Sequence, residues 1–126
     1  MKKTIMIVED EQHFHDLYEA MLEDTDYEII HVYDGEEALS KLEQEKPDLI
    51  ILDMLLDMVT GDTLLLYLKG MPEYARIPVI IISASSAKHY KNLKKTDPNL
   101  VYVNKSHLTT GRLLGEIGEN LSRLSC

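Results

Sequence analysis

The chain has no tryptophan, one phenylalanine, one cysteine, four prolines and six glycines in 126 residues. The cysteine, Cys126, is the last residue, so no internal disulfide can form and no cysteine metal site can be built. No apolar run approaches the ~20 residues that a membrane span needs. Met1-Lys2-Lys3-Thr4 is followed by too short an apolar stretch before Glu9 to be the core of a secretory signal. Internal repeats, low-complexity tracts and a linker composition are also missing. The expectation is a cytoplasmic protein with no membrane partner, folded as one domain over 1–126 with no output domain.

What is present suits that expectation. Hydrophobic residues make up 44% and charged residues 28% of the chain, ordinary values for a globular domain. A chain of this length buries roughly two-thirds of its unfolded surface. Net charge is −9 and unevenly spread: residues 1–63 carry 18 acids and 4 bases, residues 64–126 carry 4 acids and 9 bases. The acidic half would repel phosphates, which argues against direct binding to nucleic acid. Lys88, Lys91, Lys94 and Lys95 crowd the basic half, as a solvated helix face or a docking surface for an acidic partner.

Hydrophobic periodicity predicts strands near 4–8, 27–32, 48–53, 78–82 and 100–103. Helical patterns lie between and after them, near 11–24, 35–46, 61–69, 86–95 and 107–124. Four of the five strands are nearly continuous apolar runs, as expected when both faces are covered. The second, Tyr27-Glu28-Ile29-Ile30-His31-Val32, is the most polar and is predicted at an edge. Right-handed crossovers leave few topologies for five such units. The predicted fold is α/β, a flavodoxin-like doubly wound (βα)5 with a parallel sheet in the order 2-1-3-4-5, whose switch point lies between strands 1 and 3.

The residues at the strand ends carry the chemistry. Glu9-Asp10 follows the first strand, Asp53 closes the third, Ser83 follows the fourth and Lys105 the fifth. In a parallel sheet these ends converge at one rim. Three carboxylates, a hydroxyl and an ammonium there suit a divalent cation and a phosphoryl group, with a carboxylate as acceptor.

Five segments in order resemble the response-regulator receiver domain: Ile5-Met6-Ile7-Val8-Glu9-Asp10-Glu11, Tyr33-Asp34-Gly35-Glu36-Glu37-Ala38-Leu39, Pro47 to Asp53 with Gly61 beyond it, Ile81-Ile82-Ser83-Ala84, and Tyr102-Val103-Asn104-Lys105. The resemblance implies Asp53 as phosphoacceptor and Mg²⁺ (or Mn²⁺) as cofactor. It implies that Asp10 and Asp53 ligate the metal directly, Leu55 through its carbonyl and Glu9 through water. Ser83 and Lys105 would stabilise the phosphoryl oxygens. Ser83 and Tyr102 would form the switch, acting on the face of the fourth helix, fifth strand and fifth helix. Leu55 and Ser85 would flank the hydrolytic water and set the signal's lifetime. The implied partners are a histidine kinase or histidine phosphotransfer protein and an unknown downstream target. The only catalysis implied is of the domain's own phosphorylation and dephosphorylation.

Three departures from the family pattern stand out. Ser106 replaces the proline after the lysine, Asp57 the proline after the phosphoacceptor, and Asp97-Pro98-Asn99 the usual Gly-Ala. Two other classes fit less well. A haloacid-dehalogenase-like phosphatase needs a second Asp at the position of Leu55, and Glu9-Asp10-Glu11 would repel a flavin phosphate. A pseudo-receiver that signals by binding alone would not need the full set of groups. His13 and His15 sit too far round a helix to chelate together, and His31, His89 and His107 read as isolated polar surface.

Overall fold

Each apolar run forms a strand because it can be buried on both faces at once. In the computed structural model, which describes residues 2–56, 59–84, 87–95 and 97–124, the elements alternate without exception. They are β1 (Thr4–Val8), α1 (Gln12–Met21), β2 (Glu28–Val32), α2 (Gly35–Gln44), β3 (Leu49–Leu52), α3 (Gly61–Gly70), β4 (Val79–Ser83), α4 (Ala87–Leu93), β5 (Val101–Asn104) and α5 (Thr110–Leu124). The sheet is parallel with order β2-β1-β3-β4-β5, and the polar second strand is at an edge. Among the described residues, no helix is long and apolar enough to cross a membrane.

Side chains alternate across a strand, and here both sets are apolar. Ile5, Ile7, Leu49, Ile51, Ile80 and Ile82 pack with Tyr18 of α1, Leu22 just beyond it, and Leu113 and Ile117 of α5. Met6, Val8, Ile50, Leu52, Val79 and Ile81 pack with Ala38, Leu42, Leu64, Leu65 and Leu68 of α2 and α3. The registers Val8↔Leu52 and Ser83↔Asn104 align the strand ends. Glu9, Asp53, Ser83 and Lys105 therefore leave the sheet at one level.

Local chemistry sets the helix starts. Asp34 accepts a hydrogen bond from the Glu37 amide at 2.8 Å, and Glu37 in turn accepts from the Tyr33 amide at 2.8 Å, closing the start of α2. The last helix begins later than its periodicity predicts. Asn104 accepts from the Ser106 amide and hydroxyl at 2.9 and 2.7 Å, winding Lys105–His107 into a 3-10 turn. Thr109 then caps α5 by accepting from the Arg112 amide at 3.1 Å.

Gly61 opens α3 directly behind Asp53. A Cβ there would collide with the Asp53 carbonyl oxygen and lie 2.6 Å from Met54 Cα, both rigid backbone. Gly61→Ala is therefore expected to destabilise the domain by about 1–3 kcal/mol, the usual cost of overpacking. Urea unfolding checks this, and an unchanged midpoint would contradict the close approach.

Candidate functional site

Glu9 and Asp53 follow neighbouring strands and are 1% and 4% exposed, whereas Asp10 faces solvent. Oxygen atoms of all three lie within 4.8 Å of one another. Asp53 Oδ1 accepts from the Ser83 hydroxyl at 2.8 Å and from the Leu55 amide at 3.0 Å. Asp53 Oδ2 accepts from Lys105 Nζ at 2.8 Å. The same ammonium stands 2.6 Å from Glu9 Oε1, while Glu9 Oε2 accepts from the Glu11 amide at 3.0 Å. One lysine thus spans two buried carboxylates.

The charges do not balance. Three acids face one ammonium, and burial pushes the Glu9 carboxyl up to about 7, with Asp10 and Asp53 adding to the rise against the opposing effect of Lys105 and the Glu11 amide. For Lys105, burial favours the neutral form, but its bonds to Asp53 and Glu9 outweigh that and raise its pKa. Glu9 Oε1 makes no hydrogen bond among the described residues although the ammonium is beside it. A hard divalent cation accepts oxygen ligands of this kind and relieves carboxylate crowding, so the donor set fits one.

The sequence-predicted residues Glu9, Asp10, Asp53, Ser83 and Lys105 are brought together. Leu55 joins them through its amide, with its side chain 58% exposed. Tyr102 is half-buried on β5, its ring centroid 5.4 Å from that of Tyr90. Ser85 and Asp57 lie outside the described residues.

The histidines need a correction. His31 is not isolated polar surface, and its partner His15 is fully buried. His15 Nε2 lies 2.7 Å from the Glu9 carbonyl oxygen, His15 Nδ1 lies 2.6 Å from His31 Nδ1, and His31 Nε2 lies 2.6 Å from Glu19 Oε1. Burial lowers the His15 pKa, favouring the neutral ring. The carbonyl can only accept, so Nε2 carries the proton and Nδ1 accepts. The facing Nδ1 of His31 then donates to His15. This chain ties the backbone of Glu9 to α1 and β2. It was hidden because its members are separated in sequence. Phe14 was also missed. Its ring lies under Lys105, with Nζ 3.8 Å from the centroid, and only its place one helical turn after Asp10 could have flagged it.

The chain is similar to known proteins in sequence and in fold. Residues 5–106 match the family described as response regulator receiver domain. The chain is 37% identical over 93 residues to the alkaline phosphatase synthesis transcriptional regulatory protein PhoP of Bacillus subtilis, matching 74% of this chain and 38% of PhoP. It is 38% identical over 88 residues to the polar-differentiation response regulator DivK of Brucella anthropi, matching 70% of this chain and 72% of DivK. The chain thus spans little more than a third of PhoP but most of DivK. Among solved structures, the Mn²⁺-bound form of response regulator Rcp1 superposes with a TM-score of 0.79 and 28% identity, over 92% of this chain and 90% of that one. With the match running from β1 through the lysine that spans Glu9 and Asp53, the chain belongs to the response-regulator receiver domains of two-component signalling.

Proposed function

We propose that this receiver takes a phosphoryl group onto Asp53 from a histidine kinase or histidine phosphotransfer protein and passes the signal to a protein target through its α4-β5-α5 face. The observation that carries the reading is the Asp53 carboxylate, buried yet held at three points by Ser83, Lys105 and the Leu55 amide. A carboxylate so held is a positioned nucleophile. In the transfer, an Asp53 oxygen bonds to phosphorus as the bond from phosphorus to the donor atom breaks, leaving an acyl phosphate. Lys105 and Ser83, already within hydrogen-bond reach, turn from the carboxylate to the phosphoryl oxygens and stabilise their charge. Asp10, Asp53, Glu9 and the Leu55 carbonyl would hold Mg²⁺ or Mn²⁺, the Mn²⁺-bound Rcp1 relative supporting such a site. When bound, the cation supplies neutralisation of the charge that phosphoryl transfer brings to the rim. Loss of the Ser83–Asp53 bond on phosphorylation would shift Ser83, with half-buried Tyr102 following. Incubation with acetyl phosphate and Mg²⁺ tests the reading. It stands if the protein gains one phosphoryl group that hydroxylamine removes, and falls if no such adduct forms.

Metal linkage gives a second expectation. A ligand that binds only the folded state at ~100 times its dissociation constant stabilises by about 2.7 kcal/mol. Saturating Mg²⁺ is therefore expected to raise the melting temperature of the wild type, and Asp10→Asn to lose most of that rise. Thermal melts with and without Mg²⁺ measure it. An unaltered response in Asp10→Asn would remove Asp10 from the ligand set.

Signal lifetime depends on how water reaches the acyl phosphate. The Leu55 side chain is exposed and apolar, so it can obstruct water but not orient it. We expect a phosphorylated state lasting many minutes, and Leu55→Asn to accelerate its decay about tenfold, equivalent to 1.36 kcal/mol of barrier. Decay of phosphate-labelled protein after donor removal checks this, and equal rates would take Leu55 out of the control of lifetime.

A further inference from the structure

We infer that Phe14 is a positioning residue for Lys105, holding the ammonium at the rim through the face of its ring. The inference rests on the proposed role of Lys105 in phosphoryl transfer. Phe14 is the only phenylalanine in the chain. It sits in the first turn of α1, half-buried at the margin of the core shared by α1 and α5. Lys105 Nζ lies 3.8 Å from its ring centroid, inside the ~6 Å range of a cation–π contact. The ammonium donates a hydrogen bond to Asp53 Oδ2 at 2.8 Å and forms an ion pair with Glu9 Oε1 at 2.6 Å. The ring supplies the third neighbour, and the Lys105 side chain is left only 10% exposed.

An aromatic face suits this place better than a polar partner. A further carboxylate would add to a rim already short of positive charge. A neutral hydrogen-bond acceptor would bind the ammonium in one direction only, whereas the lysine must turn from the Asp53 carboxylate to the phosphoryl oxygens. The ring attracts the charge over its whole face and lets the ammonium pivot while keeping water away from it. It also covers the flexible lysine stem, which reduces the rotamers that Lys105 must give up in the transition state.

Fluorination of the ring, which grades its electron density at nearly constant shape, separates this role from simple packing, with leucine and tryptophan as controls of size and aromaticity. Position 14 is replaced by leucine, tryptophan, para-fluorophenylalanine and pentafluorophenylalanine. Two quantities are read: the rate of phosphorylation by acetyl phosphate with Mg²⁺, and the exchange rate of the Lys105 ammonium protons by NMR in the unphosphorylated protein. Phe14→Leu and the pentafluoro variant are expected to slow phosphorylation about tenfold and to speed proton exchange, the monofluoro variant to fall between, and Phe14→Trp to stay near the wild type. The pentafluoro ring nearly matches phenylalanine in shape, so folding is preserved in the decisive comparison. Exchange rates that do not change with fluorination overturn the inference, as do phosphorylation rates that follow side-chain volume alone. Failure of the Asp53 reading looks different, since the wild type would then take up no label while the exchange measurement still decides the role of Phe14.

Discussion

Asp53→Asn is expected to abolish phosphoryl uptake, a loss of at least about a hundredfold in initial rate. An amide has no anionic oxygen to attack phosphorus and cannot yield an acyl phosphate. The substitution leaves the shape of the site nearly intact: the Asn carbonyl can still accept from Ser83 and the Leu55 amide, which both serve Asp53 Oδ1 at 2.8 and 3.0 Å. It also removes one of the charges that hold the Glu9 pKa up. Stability is therefore expected to be preserved, and circular dichroism on the same samples separates lost chemistry from lost fold. Label retained in the folded variant would assign acceptance to another residue.

The second large effect concerns pH in the absence of metal. An unfolded Glu9 ionises near 4.5, while the buried side chain holds its proton to about 7. Between those values the native state binds more protons than the unfolded state, so stability falls as pH rises. A tenfold difference in proton affinity between the two states corresponds to about 1.4 kcal/mol, which sets the fall between pH 5 and pH 8 at about 3 kcal/mol at most. His15 acts in the opposite sense. Its folded pKa is lowered by burial, so stability is gained as pH rises toward 6.5. The raised pKa of Lys105 matters only above its ordinary value of 10.5, outside this window. Urea unfolding of the wild type and Glu9→Gln across pH 5–8 isolates the contribution of Glu9. The difference in stability between the two proteins is expected to change by up to that amount. If the difference stays flat across the window, Glu9 ionises normally in the fold.

Much of the architecture was legible because it depends on local patterns. Continuous apolar runs such as Ile5-Met6-Ile7-Val8 and Leu49-Ile50-Ile51-Leu52 require cover on both faces, and that requirement selects a parallel sheet between helix layers. The start of α2 was legible at Asp34-Gly35-Glu36-Glu37, where the capping groups are adjacent in sequence. The start of α5 was not, because side-chain bonds from Asn104 and Thr109 overrode a periodicity that runs on unbroken from residue 107.

For the candidate site, the sequence alone determined which groups gather. Glu9, Asp10, Asp53, Ser83 and Lys105 each stand at a strand end, and parallel strands in this order end together. Only the tertiary structure decided what those groups experience. Glu9 and Asp10 are neighbours of the same chemical type, yet one is 1% exposed and bound to Lys105 while the other faces solvent. The ring of Phe14 under Lys105 and the path from Glu9 through His15 and His31 to Glu19 likewise join residues that share no sequence pattern. Strand-end chemistry follows from periodicity, which neighbouring residues set; burial and partnership follow from how all the packed elements close on one point.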